Sequence, residues 1–254
     1  MCQDNFFKLQ NYHKNKEKSF EPLALTPYCV TENIISLIVH AVGASSKQAA
    51  SLKKGDMVSL MGPCGQQSYV PNNSTVLLIG EGIGNLSLLP YAKKLKNNGN
   101  KIIFLALYKK KTHLFYPDKI KFYADEVIFV CNREKIDTET GISIKGSVAQ
   151  ALSLVNFSNI KNIFVMGSAS MLDIVSSFIL KNNTDCLSQA SISAPMQCMM
   201  GGVCGQCIIQ TADGSFVFIC KNQDQKLNLP IVQNLNIRLA QNSLLEKCNL
   251  ITTN

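Results

Sequence analysis

Runs of apolar residues, separated by polar and glycine-containing breaks, recur through the middle of the chain. Four of these runs are continuous, as in strands buried on both faces of a parallel sheet: TVLLIG (75–80), KIIFLAL (101–107), EVIFVC (126–131) and NIFVMG (162–167). Helices are predicted over residues 85–95, 144–154 and 170–180. Strands that alternate with helices of this length predict βαβ units, and therefore a three-layer α/β domain around a parallel sheet.

The N-terminal part of the chain has a different pattern. Its apolar runs, IISLIV (34–39) and MVSLM (57–61), are short, and turn signals such as Gly55-Asp56 and Gly62-Pro63 flank the second of them. No long helical pattern lies between these runs, so they predict an antiparallel sheet or part of a β-barrel. Residues 1–70 are few for a closed barrel, and we expect a truncated one.

The residue pattern of the chain changes near Ser74 and near Ser191, and these changes divide the chain into three predicted domains. These are a partial β-barrel over 1–70, an α/β domain over 71–190 and a small cysteine-rich domain with a tail over 191–254. The tail is polar except for an amphipathic stretch, Ile237–Leu245. The predicted fold class is therefore α/β plus β.

The third domain carries a dense set of cysteines. They have the spacing Cys-x5-Cys-x2-Cys-x12-Cys and are Cys198, Cys204, Cys207 and Cys220. Four thiolates satisfy a [2Fe–2S] cluster, and three of them so close together require a loop that wraps around the inorganic core. The nearby Gly201, Gly202 and Gly205 suit such a loop, because glycine adopts positive φ and lets backbone N–H groups approach the sulfurs. The turn Ala212-Asp213-Gly214 predicts a hairpin that returns the fourth cysteine to the loop.

A structural zinc site is the alternative that this spacing leaves open, because zinc also takes four cysteines. Zinc sites usually show two Cys-x2-Cys knuckles or histidines at fixed spacing, whereas this chain has one knuckle and no histidine after His113. The spacing therefore favours iron–sulfur over zinc. Five further thiols are expected to be unrelated buried cysteines: Cys29, Cys64, Cys131, Cys186 and Cys248.

Two glycine turns follow predicted strands. The first, GEGIG (80–84), lies between a strand and a helix, where glycine lets a nucleotide diphosphate approach the backbone and the helix supplies N–H donors. Alone it is a weak signal of a nucleotide site. The second, VMGS (165–168), ends another strand before a helix that opens with Ser170. Two such turns at the carboxyl ends of parallel strands can flank a nicotinamide dinucleotide.

The net charge, the apolar runs and the cysteine content of the chain limit the classes of function that fit it. The net charge is +8, but the lysines are thinly spread, the densest run being Lys109–Lys111, with no interleaved aromatic residues; we therefore expect no nucleic-acid partner. No apolar run reaches the roughly 18 residues of a membrane span, and the N-terminus has no secretion signal. Ten cysteines in such a chain favour a reduced compartment, so the protein is predicted to be cytoplasmic. No catalytic triad or dyad is visible, and no catalytic side chain is assigned.

Taken together, residues 5–225 resemble the ferredoxin–NADP reductase superfamily, and most closely the electron-transfer subunit of dihydroorotate dehydrogenase. Members of this family contain, in order along the chain, a flavin-binding barrel, a nucleotide-binding domain and a small C-terminal [2Fe–2S] domain. The same order is predicted here. GEGIG stands in the place of the family's Gly-Gly-Gly-x-Gly turn and keeps Gly80, Gly82 and Gly84. VMGSASML resembles its Cys-Gly-Pro-x-x-Met motif and keeps Gly167 and Met171. LKKGDMVSLMGPCG is similar to the strand and turn Leu-x-x-Gly-Asp-x-Val…Gly-Pro-x-Gly.

Within the superfamily, the chain looks like an iron–sulfur-containing branch that works with a glutamate-synthase-small-subunit-like flavin oxidoreductase. Four segments carry this likeness: FFKLQNY (6–12), EPLALT (21–26), SAPMQCMMGGVCGQC (193–207) and FICKNQDQ (218–225). The five residues after the first cluster cysteine also fit this branch better than the four of ordinary dihydroorotate dehydrogenase subunits.

The resemblance implies cofactor contacts and also shows departures. Thr26 would offer a hydroxyl to FAD, and Gly43, Ser45 and Ser46 lie where the family binds the flavin pyrophosphate. EPLALT, however, lacks the arginine and the aromatic residue of the family's flavin motif. FFKLQN resembles the strand that normally follows two earlier barrel strands, so a partner chain would supply the rest. Glu81 replaces a family glycine and places a negative charge near the diphosphate unless its side chain points away.

The function that the resemblance implies is that of an NAD(P)H-dependent oxidoreductase subunit. It would relay electrons between NAD(P)H, FAD and the [2Fe–2S] cluster, to or from a larger flavoprotein. The alternative is a non-enzymatic module that keeps the cluster, or a zinc ion, has lost flavin binding and acts as a scaffold or redox sensor.

Overall fold

The computed structural model describes residues 6–11, 22–136, 141–182, 186–192, 198, 201–210, 216–221 and 224–226. The predicted turn Ala212-Asp213-Gly214 and the amphipathic stretch Ile237–Leu245 lie outside these residues. No described helix is long and apolar enough to cross a membrane.

The N-terminal part contains two small antiparallel sheets and one short helix. Its elements are β1 (Phe6–Asn11), β2 (Leu23–Leu25), β3 (Pro27–Val30), β4 (Ile35–Leu37), α1 (Ala44–Ala50) and β5 (Val58–Cys64). One sheet has the order β2-β1-β5, and the other is the β3–β4 pair. The antiparallel pairing predicted for this region is therefore found. Three strands paired in one sheet and two in another fall short of a closed barrel among the described residues.

The centre of the molecule is a parallel sheet of alternating strands and helices. Its elements are β6 (Thr75–Glu81), α2 (Gly84–Asn97), β7 (Lys101–Tyr108), α3 (Pro117–Tyr123), β8 (Glu126–Cys131), β9 (Ile142–Lys145), α4 (Val148–Leu152), β10 (Ile160–Gly167), α5 (Ala169–Lys181) and β11 (Leu187–Ile192). The strand order is β11-β10-β6-β7-β8-β9, and all these neighbours are parallel. The predicted parallel α/β sheet is confirmed.

Two apolar cores, one on each face, make this sheet the middle of three layers. One face packs against α4 and α5, with Leu77, Val165 and Val175 in the core. The other packs against α2 and α3, with Leu78, Phe104 and Ile120 in the core. Because successive side chains of a strand point to opposite faces, strands covered on both sides read as continuous apolar runs.

One predicted element is wrong in part. The helix expected over residues 144–154 begins later, because residues 142–145 form β9 and pair in parallel with β8. The helix α4 starts only after Ser147, whose side-chain oxygen accepts a hydrogen bond from the Gln150 N–H. This N-cap fixes the start of the helix and leaves ISIK free to extend the sheet.

Three more strands follow the parallel sheet. They are β12 (Ile208–Gln210), β13 (Phe216–Phe218) and β14 (Asp224–Lys226). The antiparallel pairing of β12 with β13 confirms the predicted hairpin, and it places Cys220 just beyond the second strand. β14 adds an antiparallel strand to β11 at one edge of the central sheet, which ties the cysteine-rich segment to the α/β core.

A carboxylate at the amino edge of the sheet gives a pH-dependent contribution to stability. Partial burial raises the pKa of Asp125, but the hydrogen bond from the Ile102 N–H (2.8 Å) and the nearby Lys96 ammonium outweigh it, so this pKa lies below its ordinary value. A carboxyl whose pKa is lowered by folding stabilises the protein above its unfolded-state pKa, and this stabilisation is lost as the pH falls through the folded value.

We therefore expect Asp125→Asn to lower the free energy of unfolding at pH 7 by up to about 1 kcal/mol, since the carboxylate is partly exposed. The difference from the wild type should shrink towards pH values of about 3 and below. Urea unfolding at the two pH values measures it, with the exposed Glu32→Gln as a charge-matched control. An equal effect of Asp125→Asn at both pH values would contradict this assignment.

Candidate functional site

The first glycine turn joins β6 to α2 and depends on its glycines for two reasons. A methyl group added at Gly80 would lie 2.3 Å from the Asn85 side-chain oxygen, and one added at Gly84 would lie 2.5 Å from the Met166 carbonyl oxygen. Gly82 has φ +57° and open space around its Cα. The outer glycines therefore permit close packing of the helix against the sheet, and the middle one permits a left-handed turn.

Asn85 supports the turn from its buried side; it was not among the predicted site residues. Its side chain is fully buried, and its amide donates a hydrogen bond to the Leu107 carbonyl at the end of β7 (3.1 Å). A buried asparagine directly after a glycine turn is the signal that could have identified it. The amino end of α2 has no side-chain cap and no acidic residue in its first turn, so the positive end of its dipole is not neutralised by its own side chains. The Asn85 and Leu86 N–H groups donate to the Gly82 and Ile83 carbonyls at 3.3 and 3.0 Å.

The second turn lies beside the first, because β10 is the parallel neighbour of β6 and Met166 is in register with Gly80. At this position the strand order reverses: β7, β8 and β9 follow on one side, and β10 and β11 on the other. Such a reversal opens a crevice at the carboxyl ends of the strands, where α/β proteins bind ligands. The two predicted turns therefore lie side by side at the place where the fold rule puts a crevice, which is called the crevice below.

Gly167 and Met171 support the second turn by packing. A methyl group at Gly167 would lie 2.3 Å from the terminal methyl of Met171, whose side chain is buried in the core under α5. Glu81, the last residue of β6, reaches across to this turn. The Ser168 N–H donates to a Glu81 carboxylate oxygen at 3.0 Å, and the Ser168 hydroxyl donates to the same oxygen. The Glu81 side chain thus points toward the second turn and is held there by Ser168.

The residues predicted for the flavin lie in the N-terminal part. Thr26 is half-buried between β2 and β3, and Gly43 precedes α1 in an extended conformation. The Ser46 hydroxyl accepts hydrogen bonds from the Val42 N–H (3.0 Å) and the Gly43 N–H (2.9 Å), so it serves the local turn. Ser45 is half-buried in the first turn of α1. Their contacts with a flavin stay a prediction.

The cysteine-rich segment forms a tight loop followed by the β12–β13 hairpin. Gly202 and Gly205 both have φ +73°, and the Gly201 N–H donates to the Cys198 carbonyl at 3.0 Å. The Ile219 N–H donates to the Cys207 carbonyl at 3.0 Å, which brings the end of the hairpin back to the loop. The positive φ of Gly202 and Gly205 and the returning hairpin agree with the predicted loop, whereas Gly201 does not have a positive φ; their roles around a cluster stay a prediction.

Backbone N–H groups converge on the cysteine sulfurs. The Val203 N–H donates to Cys198 Sγ at 3.3 Å. Burial raises the pKa of Cys198, but hydrogen bonds from the backbone of Cys204, Val203 and Gly201 and from the Cys204 side chain outweigh it and lower this pKa to about 6. The loop is thus built to stabilise negative charge on sulfur, as thiolate ligands of a metal centre require.

The second half of the set is more deeply buried. Burial, followed by the hydrogen bond and the charge of Cys207, raises the pKa of Cys220 to about 11, and a hydrogen bond from the Gly202 backbone opposes the shift. Cys198 thus interacts with Cys204 and Cys207 with Cys220, and the charge of Cys198 also acts on Cys220, which links the two pairs. Among the described residues, no three cysteine, histidine or acidic side chains converge as ligands of one metal ion.

The inner pair touches the N-terminal sheet. Cys207, Ile219 and Cys220 form a small buried cluster, against which Ala24 of β2 and Cys64 of β5 pack. Cys64 was expected to be an unrelated buried thiol; the structure shows it half-buried beside the cysteine-rich lobe. Of the outer pair, Cys204 is exposed and Cys198 is half-buried, and the neighbouring Val203 is 84% exposed.

Comparisons with known proteins bear on this arrangement. No family model matches the chain. The chain is 32% identical over 246 residues to the uncharacterized protein RP006 of Rickettsia prowazekii, a match that covers 95% of the chain and 28% of that protein. It is 31% identical over 110 residues to the electron transfer subunit of dihydroorotate dehydrogenase B (NAD(+)) from Fusobacterium nucleatum, which covers 42% of each chain. The match thus spans less than half the length of each of these relatives.

Among solved structures, the chain resembles the NADH-dependent reduced ferredoxin-NADP oxidoreductase, reported in work on flavin-based electron bifurcation. The TM-score is 0.76 with 23% identity, over 98% of this chain and 88% of that one. This likeness concerns the fold, and it extends through all three parts of the chain. The chain is therefore related to the electron transfer subunits of dihydroorotate dehydrogenase B and has the fold of the ferredoxin–NADP reductase superfamily.

Proposed function

We propose that the protein is an electron-transfer subunit that carries a [2Fe–2S] cluster on Cys198, Cys204, Cys207 and Cys220. The observation that carries the proposal is the fold of this segment, which buries Cys207 and Cys220 together against the N-terminal sheet and leaves Cys204 exposed. A cluster bound by these thiols would lie between the interior of the protein and its surface. It could therefore pass electrons from a donor inside to an acceptor outside, or in the opposite direction.

The spacing of the cysteines favours a two-iron cluster over zinc. The chain has one Cys-x2-Cys knuckle and no histidine after His113, whereas structural zinc sites usually show two knuckles or histidines at fixed spacing. The N–H donors to Cys198 and the glycines with positive φ fit the sulfur-rich surroundings of such a cluster.

The two other cofactors have proposed places. FAD is assigned to the N-terminal part near Thr26, Gly43, Ser45 and Ser46, and NAD(P)H to the crevice between the two glycine turns. When bound, the flavin supplies the conversion between the two electrons of a hydride and the single electrons that the cluster carries. Ala24 and Cys64, which pack on the inner thiols, belong to strands of the same N-terminal sheet. The protein itself supplies the orientation of these groups and the shielding of the inner pair from water.

The proposed partner is a larger flavoprotein, since related chains are named as electron transfer subunits. Two surfaces suit it. The exposed Val203 lies beside the outer thiols. In the described residues β5 pairs only with β1, and its Val58 and Leu60 are exposed, as is the preceding Met57. Its open edge therefore offers backbone hydrogen bonds and apolar contacts.

A second candidate is a module that keeps the cluster without a flavin. Two observations favour it. The described strands of the N-terminal part do not close a barrel, and the Ser46 hydroxyl is already bonded to the backbone of its own turn. Such a module would sense redox state or act as a scaffold in a larger assembly.

A reduction assay separates the two functions. NADH or NADPH, added anaerobically to the purified protein, is expected to bleach bound flavin and then the cluster, and cytochrome c added as a one-electron acceptor should be reduced. In Cys204→Ser the flavin should still bleach, but cytochrome c reduction should fall several-fold because one cluster ligand is lost. Cys29→Ser, a thiol in β3, is the matched control. Unchanged cytochrome c reduction in Cys204→Ser would remove the cluster from the electron path, and a protein with cluster but no flavin would favour the second candidate.

A further inference from the structure

Glu81 links the two sides of the crevice. It is the last residue of β6, and Ser168, the residue before α5, follows the neighbouring strand β10. Both the N–H and the hydroxyl of Ser168 donate to one Glu81 carboxylate oxygen. The Ser168 hydroxyl also lies 3.1 Å from the Ser170 hydroxyl, so a small polar network holds the carboxylate at this place.

The amino ends of α2 and α5, which both face the crevice, therefore differ in whether a negative charge is placed on them. The positive end of a helix dipole and its free N–H groups attract anions. At α5, a helix of 13 residues without an acidic residue in its first turn, the Glu81 carboxylate already takes this position. At α2, a helix of 14 residues, no side chain caps the end and the first turn holds no acidic residue.

A phosphate bound at the α2 turn would lie in the same crevice as this fixed negative charge. The two like charges repel, and a hydrogen-bonded carboxylate cannot swing away without giving up its bonds to Ser168. We propose that Glu81 sets the affinity of the crevice for anions. Its carboxylate closes the α5 end to anions and weakens the binding of a dinucleotide diphosphate. This inference rests on the proposed nicotinamide site.

Isothermal titration of the whole protein with NAD⁺ and with ADP-ribose, neither of which delivers a hydride, tests the proposal. Glu81→Gln keeps an oxygen that accepts from Ser168 but removes the charge, and it should bind both probes about threefold to tenfold more tightly at low salt. Glu81→Gly removes the whole side chain from the amino end of α5, so the affinity for both probes should increase by at least as much. The gain should shrink in about 1 M salt, which screens the repulsion.

Glu126→Gln is the matched control, since it removes the same charge at the opposite, amino edge of the sheet, where Glu126 pairs with Lys101. Equal or weaker binding by Glu81→Gln, or an equal gain in Glu126→Gln, would overturn the inference while leaving the nicotinamide site intact. No binding by the wild type or either Glu81 variant would overturn both the inference and the nicotinamide site. The cluster assignment is tested separately by metal analysis of the same samples.

Discussion

Replacing Cys207 with serine is expected to abolish the broad visible absorbance of the cluster together with the iron and acid-labile sulfide of the protein, and to leave any flavin absorbance in place. Cys207 is 1% exposed, interacts with Cys220 and accepts the Ile219 N–H that closes the hairpin onto the loop. Because this position is closed to water, no water molecule can take the place of the lost thiolate ligand. Because a metal centre binds the folded state only, its loss should also lower the thermal unfolding midpoint.

The matched control is Cys29→Ser, which removes a half-buried thiol from β3. It should retain iron, sulfide and absorbance at the wild-type level. A Cys207→Ser protein with full iron and sulfide content would contradict the ligand assignment, and it would direct attention to the neighbouring Cys64, which packs on the same cluster of side chains.

Replacing Gly84 with alanine should give the second large effect, on stability and on the crevice together. The added methyl would meet the Met166 carbonyl oxygen at 2.5 Å, a backbone atom that cannot rotate away. The start of α2 must then move away from β10. Alanine has the better helix propensity, but the overpacking outweighs it, and we expect a net loss of about 2 kcal/mol in the free energy of unfolding.

Urea unfolding measures this loss, and Gly55→Ala provides the comparison. Gly55 has φ +96° with no atom within 4 Å of the added methyl, so its replacement costs backbone strain alone, about 1 kcal/mol. A Gly84→Ala protein as stable as the wild type would show that the turn tolerates a side chain. The close approach of helix and sheet would then not be what requires glycine here.

The central sheet was predictable because its strands are buried on both faces. TVLLIG, KIIFLAL, EVIFVC and NIFVMG each lie within a strand of the structure, since a strand covered by helices on both sides has no polar alternation to obscure it. The edge strand β9 escaped prediction for the opposite reason. Its residues ISIK are half-buried or exposed, and their pattern merges with the helix that follows.

The sequence predicts the members of the candidate site but not their arrangement. The spacing of the four cysteines and the two glycine turns can be read along the chain, and the cluster and nucleotide contacts stay predictions. The burial of Cys207 with Cys220, the contact with Cys64 and the bond from Ser168 to Glu81 depend on tertiary packing. Glu81 and Ser168 are 87 residues apart in the chain and meet only because β6 and β10 are adjacent.

The central claim is a [2Fe–2S] cluster in a flavin-linked electron-transfer chain, and elemental analysis tests it most directly. Iron, acid-labile sulfide, zinc and flavin should be measured on one anaerobic sample of the purified protein, together with its visible spectrum before and after dithionite. The account predicts two iron and two sulfide per chain, as a [2Fe–2S] cluster requires, with a broad visible band that dithionite bleaches. Stoichiometric zinc without sulfide would contradict it.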